Sequence, residues 1–315
     1  MKAVRIHGFG GPDVLELADV PAPEPGPDEV VIAVRATSVN PVDWLVRDGK
    51  ATSYVKVTFP VILGCDLAGE VVARGARVTR HAVGDEVFAM MPHDWGAHAE
   101  RVALAAELVV HKPAKLSMIE AASLPVVAMT ALNGLRNKGK LQRGERVLIN
   151  GASGGVGLSA IQIAKALGAG KVTAVCSAAA AELVTRLGAD EVIDYKTKDF
   201  RTSGQSWDLV FDCVGSAPHA TCKPVLAGRK THVTTTPVVS TFLRSFANPL
   251  FGIKVHGIIT KGNGSDLELI KTMVDDGKLV PVIDKVFPFG EVAAAQEYSK
   301  TGRARGKIVL ELARA

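Results

Sequence analysis

Hydrophobic residues in the first ~120 positions recur in short runs set apart by glycine and proline, the spacing of strands in a β-rich unit. Val14-Leu15-Glu16-Leu17 alternates, and Glu29-Val30-Val31-Ile32-Ala33-Val34-Arg35-Ala36 reads as a longer strand. Between them, Pro21, Pro23, Pro25 and Pro27 remove backbone donors and exclude helix or central strand. Val61-Ile62-Leu63-Gly64 and Gly69-Glu70-Val71-Val72-Ala73 predict strands around a tight Cys65-Asp66 corner, and Val83-Gly84-Asp85-Glu86-Val87-Phe88 predicts a turn and strand. Asn40-Pro41-Val42-Asp43-Trp44 predicts a turn into a short helix. Together these strands suggest a compact, barrel-like β domain.

The pattern changes near residue 117. Ser117-Met118-Ile119-Glu120 is a capping-box sequence, and helical segments follow through Thr130-Ala131-Leu132-Asn133-Gly134-Leu135. Next, the apolar run Val147-Leu148-Ile149-Asn150 ends in Gly151-Ala152-Ser153-Gly154-Gly155-Val156-Gly157, and an amphipathic run follows at once. Strand, glycine turn, helix and the second strand Val172-Thr173-Ala174-Val175-Cys176 make the layout of a dinucleotide-binding unit, with helix-start amides offered to a phosphate. Apolar strands and helical runs then alternate through Leu209 to Val214, Thr231 to Thr234 and Val255 to Ile259, implying a parallel sheet covered by helices. Asp284 to Phe287 and Lys307 to Leu312 read as strands returning to the first domain. The expected organisation is α/β: a doubly wound parallel sheet over residues 121–274, inserted into a β domain made of 1–120 plus 275–315.

Composition narrows the classes. The 315 residues suffice for two domains, and 47% hydrophobic with 22% charged residues is a normal globular balance. A net charge of +5, spread without a basic stripe, argues against nucleic-acid binding. No apolar run is long enough to span a membrane, and Met1 to Arg5 enters a strand-like pattern without a signal-peptide core, so a cytoplasmic protein is expected. Cys65, Cys176, Cys213 and Cys222 form no close metal pair and read as free thiols, mostly buried.

Four stretches in order carry a resemblance: Gly64-Cys65-Asp66-Leu67-Ala68-Gly69-Glu70-Val71, Val83-Gly84-Asp85-Glu86-Val87, Ala152-Ser153-Gly154-Gly155-Val156-Gly157 and Leu187-Gly188-Ala189-Asp190-Glu191-Val192-Ile193-Asp194-Tyr195. Over nearly its whole length the chain resembles the zinc-independent medium-chain dehydrogenase/reductases, in the quinone oxidoreductase and alkenal double-bond reductase branch. The resemblance implies a GroES-like substrate domain, a Rossmann cofactor domain and an active site in the cleft between them. Zinc-dependent relatives carry a cysteine, a histidine–glutamate pair and a second cysteine where this chain has Asn40, Cys65-Asp66 and Val126 or its neighbour. No metal is therefore expected, since a catalytic zinc needs three protein ligands. His93 and His98 lie close in sequence but read as loop and strand residues rather than a ligand pair.

By the same resemblance, Asn40 stands beside the nicotinamide ribose and substrate, and Thr130 near the nicotinamide amide. The local alternatives are a turn asparagine before proline and a threonine bonded back to its own helix. Ser153, Gly154, Gly155, Val156 and Gly157 are expected at the pyrophosphate, Val214 and Gly215 near the adenosine or ribose, and Thr234 and Thr235 facing the nicotinamide. Asp43 either orients its neighbours or caps the short helix; Trp44 lines the cleft or packs; His98 is a candidate proton donor. Cys176-Ser177 ends the second strand without the acid that selects NAD, so Ser177, closed over by Tyr195, favours the 2′-phosphate of NADPH. Ala178 to Ala181 stand where the branch usually has a base, which leaves NADH open and points to Lys196, Arg201 or Arg305 as substitutes. The expected activity is metal-free reduction of a quinone or an α,β-unsaturated carbonyl. Alternatives are a non-catalytic, crystallin-like NADPH-binding protein and an enoyl-thioester reductase. The run Phe251 to Ile259 is expected as an edge strand pairing two subunits into a homodimer, with Pro237 to Leu250 as a lid or subunit support.

Overall fold

The computed structural model describes residues 1–52, 56–92, 95–236, 252 and 254–313. His93, the Pro237 to Leu250 segment, Phe251 and Ile253 therefore lie outside the described residues. The chain forms two compact units: Met1–Val126 with Lys261–Asp275 and Pro281–Ala315, and Val127–Thr260 with Asp276–Val280. These limits differ from the expected 121–274 insertion. The helix Gly264–Asp275 goes with the first unit because Gly264 seats against the Glu107 carbonyl, so closely that a Cβ would lie 1.9 Å from its oxygen.

In the first unit, β1 (Lys2–Ile6) lies between β2 (Glu16–Asp19) and a two-residue β4 (Val61–Ile62), all antiparallel. The long strand β3 (Glu29–Val39) anchors the larger sheet. It pairs with β5 (Asp66–Arg74), β7 (Arg101–Ala105) and β16 (Lys307–Glu311). The sheet continues through β6 (Glu86–Met90) and β8 (Val109–His111) on one side and β15 (Ile283–Pro288) on the other. Inward positions of these strands, among them Val30, Ile32, Leu67, Val87, Val102 and Val109, form one core. The strand expected from Val14 begins only at Glu16, because Pro12–Val14 is a 3-10 turn opened by its proline. The strand expected to reach Gly64 stops at Ile62, and Gly64 adopts φ 95°.

The helices of this unit are α1 (Pro41–Arg47), α2 (Met118–Ala122) and the start of α3 (Pro125–Leu132). Ser117 and Glu120 close the expected capping box at α2, the Ser117 hydroxyl accepting from the Glu120 N–H at 3.2 Å.

The second unit is a six-stranded, wholly parallel sheet of β9 (Arg146–Asn150), β10 (Lys171–Cys176), β11 (Glu191–Asp194), β12 (Trp207–Asp212), β13 (Leu226–Thr234) and β14 (Lys254–Gly257). Their spatial order, β11-β10-β9-β12-β13-β14, is the doubly wound dinucleotide-binding order anticipated from the sequence. Its helices are α4 (Gly155–Ala166), α5 (Ala181–Arg186) and α6 (His219–Cys222). The first unit is completed by α7 (Gly264–Asp275) and α8 (Val292–Lys300). No helix among the described residues is long and apolar enough to cross a membrane.

Arg47 shows what ties α1 to α8. Its side chain is fully buried and donates to Gln296 Oε1 at 3.0 Å, Glu297 Oε1 at 2.8 Å and Asp48 Oδ1 at 2.8 Å. Removing one partner of a buried charge network leaves the others unpaired. Arg47→Ala is expected to cost about 3 kcal/mol or more in urea unfolding, against a change near zero for an exposed arginine such as Arg77.

Candidate functional site

The β16-β3-β5 ladder fixes one row of polar side chains. Ser38 pairs with Asp66 on one side of β3 and Val309 on the other, which brings Lys307, Asn40 and Asp66 to the same end of the sheet. There the chain leaves β3 through Asn40, in extended backbone, and Pro41 begins α1. The Asp66 carboxylate collects donors on both oxygens. Oδ2 accepts from the Ser38 hydroxyl, from Asn40 Nδ2 at 2.8 Å and from Lys307 Nζ at 3.4 Å; Oδ1 accepts from the Val126 N–H at 2.7 Å. Lys307 Nζ also donates to Asn40 Oδ1 at 2.6 Å and to the Val39 carbonyl at 3.3 Å. Asn40 is 2% exposed, Lys307 5% and Asp66 0%.

Asp43 closes the same group from α1, its Oδ2 accepting from the Asn40 backbone N–H at 2.7 Å. Burial, the dominant cause, raises its carboxyl to about 7, against the opposing pull of the Asn40 N–H and the Lys307 charge. His98 is also fully buried, its Nε2 3.4 Å from the Ser38 carbonyl. Burial depresses the imidazole to about 4, so it is neutral at physiological pH. Gly64 is required opposite it, because a Cβ there would lie 2.4 Å from the His98 ring. A cavity of about 420 Å³ in this unit is lined by Lys56, Thr58, Pro60, Val61, Ile62 and Trp95, among others. Trp95 holds φ 58°, a left-handed backbone uncommon for a bulky residue.

In the second unit, β9 ends at Asn150 and the chain turns through Gly151 at φ 77°. A Cβ at Gly157 would come within 2.3 Å of the Gly151 carbonyl, so only glycine lets α4 approach the turn. The N-cap of α4 is Gly154, with no side chain to satisfy the first-turn amides. Ser153, Gly154, Gly155 and Val156 are half-buried around this opening. Asn150 Nδ2 donates to Asp212 Oδ1 and Ser216 Oγ, each at 2.9 Å. Asp212 in turn accepts the N–H groups of Val214, Gly215 and Ala217, which shapes the loop after β12 and leaves Val214 54% exposed. Thr130 does not bond back to its helix: its hydroxyl meets the Thr260 hydroxyl at 2.8 Å. Thr234 ends β13, its Oγ1 accepting from the Thr236 N–H, and the Thr235 N–H donates to the Asp212 carbonyl. Ser177 follows β10 without a side-chain cap bond, and Tyr195 is 60% exposed.

Comparison with known proteins agrees with this architecture. Residues 26–114 match the alcohol dehydrogenase GroES-like domain family, and residues 187–310 match the family described as zinc-binding dehydrogenase. The chain is 35% identical to a chloroplast envelope quinone oxidoreductase homolog of Arabidopsis thaliana, over 99% of this chain and 98% of the relative. A 2-methylene-furan-3-one reductase of Solanum lycopersicum is 36% identical, over 98% of this chain and 79% of the relative. The mitochondrial NAD(P)H oxidoreductase RTN4IP1 of Bos taurus is 37% identical, over 91% and 82%. The solved quinone oxidoreductase of Coxiella burnetii superposes with a TM-score of 0.90 at 31% identity, covering 99% of each chain. The chain belongs to the quinone oxidoreductase branch of the medium-chain dehydrogenase/reductases.

The name of one matched family raises the question of a metal, and the donor set does not fit one. The polar and sulfur groups that the resemblance sets against the zinc ligands are the Asn40 amide, the Cys65 thiol and the Asp66 carboxylate. Burial pushes the Cys65 thiol well above its ordinary range, so it stays protonated rather than a thiolate. Asp66 is already saturated by four donors, one of them an ammonium. A dinucleotide does fit the second unit, where the glycine turn and the uncapped start of α4 offer backbone donors.

The sequence-predicted residues thus fall into separate groups. Asn40, Asp43 and His98 share one buried cluster, in which neither Asp43 nor His98 reaches the surface. Asp43 therefore has a positioning place beneath Asn40 rather than a substrate-facing one. Trp44 is half-buried, and its Nε1 donates to Ser299 Oγ at 3.3 Å. Of the basic candidates near Ser177, Arg201 is held by both oxygens of Asp199 at 2.9 and 3.0 Å, while Lys196 is exposed. Sequence reasoning missed Lys307, Asp66 as the organising anion, Thr260 and the Asn150–Asp212 brace.

Asp43 and His98 make opposite contributions to pH-dependent stability. Native Asp43 holds a proton up to about pH 7, whereas unfolded aspartate loses it near 3.8, so this group lowers stability as pH rises through that window. Native His98 takes a proton only below about 4, whereas unfolded histidine takes one near 6.5, so this group raises stability over the range between. Each effect is on the order of 3 kcal/mol, and they largely cancel. Asp43→Asn is expected to turn the urea midpoint upward with pH between 4 and 6.5. His98→Gln is expected to turn it downward toward pH 7.

Proposed function

We propose that the protein is an NAD(P)H-dependent, metal-free reductase of quinones or carbonyl-conjugated double bonds. The observation that carries this reading is the buried Asp66–Lys307–Asn40 group, in which the carboxylate is already matched by an ammonium and an amide at the end of the β16-β3-β5 ladder. Names of relatives support it: a quinone oxidoreductase homolog, a quinone oxidoreductase, an NAD(P)H oxidoreductase and a 2-methylene-furan-3-one reductase.

A bound nicotinamide supplies a hydride to an electron-poor carbon of the acceptor. The chain's part is to hold, orient and polarise. Backbone N–H groups at the start of α4 bind the pyrophosphate, with Gly157 allowing the close approach. Ser177, free of a capping bond and with no acid at the end of β10, accommodates a 2′-phosphate. Thr130, Thr234 and Thr235 are assigned to the nicotinamide end, and Val214 and Gly215 to the ribose. Asn40 is assigned to the acceptor or ribose oxygen through its remaining amide N–H. The Lys307 ammonium on Asn40 Oδ1 draws electron density from that amide and strengthens the N–H as a donor. Charge developing on an acceptor oxygen is what such a preoriented donor stabilises. An alcohol substrate would need a strong base or Lewis acid to lose its proton, and the donor set offers neither.

The decisive experiment screens NADPH and NADH oxidation against a quinone panel and an alkenal panel, with alcohol oxidation by NADP⁺ as control. Turnover is expected with at least one acceptor class, none with simple alcohols, and no loss after exhaustive chelation. Nucleotide binding without turnover on either panel would replace this reading with that of a non-catalytic binding protein. The cofactor assignment has its own check. Ala178→Arg places a charged donor beside Ser177, worth about 1.5–3 kcal/mol on a phosphate. It is expected to lower the NADPH dissociation constant by about tenfold or more and leave that of NADH unchanged.

A further inference from the structure

A second cluster, unrelated to the reductase chemistry, lies in the first unit where the turn before β6 meets the end of β8. His81, Asp85 and His111 each offer one ligand atom there, and all three atoms lie within 4.8 Å of one another. We propose that these residues form a binding site for a divalent transition metal, with Zn²⁺ as its natural occupant.

His81 carries the argument. It is 1% exposed, and its Nε2 lies 3.3 Å from the Ala106 carbonyl and 3.1 Å from the Val109 carbonyl. Carbonyls only accept, so Nε2 bears the proton and Nδ1 carries the free lone pair. That Nδ1 is buried and has no hydrogen-bond partner. An imidazole with one nitrogen donating to backbone carbonyls and the other left as a bare lone pair is arranged as a metal-bound histidine is.

The other two groups complete a donor set of two nitrogens and one carboxylate oxygen. The His111 ring centroid lies 4.9 Å from that of His81, tilted by 41°. His111 Nε2 lies 3.0 Å from Asp85 Oδ2, a contact whose proton a bound ion would replace, and the same oxygen accepts from the Ala82 N–H at 2.8 Å. The carboxylate is thus oriented by the backbone. Arg80, next in sequence to His81, is turned to Glu268 at 3.0 Å. Two imidazoles and a carboxylate suit Zn²⁺, with water in the fourth position. Bound there, the ion would clip the 81–85 turn to the end of β8.

The test uses the full chain, stripped of metal, titrated calorimetrically with Zn²⁺ and by absorption with Co²⁺. One equivalent is expected to bind saturably, with Co²⁺ bands lacking thiolate charge transfer. His111→Ala, at an exposed position, is expected to weaken binding about tenfold or more. It should also abolish the zinc-dependent rise in melting temperature while leaving NADPH binding unchanged. Asp85→Asn is a second variant with the same expected direction. Absence of saturable binding, a thiolate band, or equal affinity in His111→Ala would each overturn the assignment.

Discussion

A carboxylate without water needs a cation and enough donors, and the first unit is built to supply both to Asp66. Taking two charges out of water costs several kcal/mol per ion, so such a pair persists only when its remaining lone pairs and protons are matched. Here the match is complete on the anion: a hydroxyl, an amide, an ammonium and a backbone N–H converge on it. Three strands must hold register for this to happen, and β3 sits between the other two. The position of Asn40 follows, since both ends of its amide are tied into the same group.

The arrangement gives this chain a built-in cation. A metal ion is mobile cargo whose presence depends on supply, whereas an ammonium on a strand is delivered by the fold. It carries a single charge and cannot bind substrate oxygen while it is directed inward to Asn40, Asp66 and Val39. Its contacts are with Asn40, Asp66 and the Val39 carbonyl alone among the described hydrogen bonds. The neutral His98 and the upward-shifted Asp43 fit that economy, since a further buried charge would be unbalanced in a medium that opposes it.

Much of this architecture was legible in the sequence because it is local. The capping box at Ser117, the glycine turn after β9 and the doubly wound alternation all depend on residues a few positions apart. The candidate site was legible only in halves. Asn40 and Thr130 stood out through the resemblance, but Lys307 read as the first residue of an ordinary strand. Its partner lies 241 positions away, and no short-range pattern announces the pairing. The same holds for Thr260 opposite Thr130 and for His81 opposite His111. Trp95 was hidden for another reason: a left-handed backbone at a tryptophan is set by tertiary packing, not by local preference. Asp43, expected either to orient or to cap, does both with one oxygen.

The pairing of Asp66 with Lys307 also has a consequence during synthesis. At ~5–20 residues per second, a ribosome needs about 10–50 s to travel from one to the other. Throughout that interval β3 and β5 exist without β16, and the anion between them has no counter-ion. Burying Asp66 before β16 arrives leaves the carboxylate with its neutral donors but no counter-ion, which disfavours closing that end of the sheet. Closure waits for the last strand to emerge, so the second unit, encoded in between, has its chance to fold first.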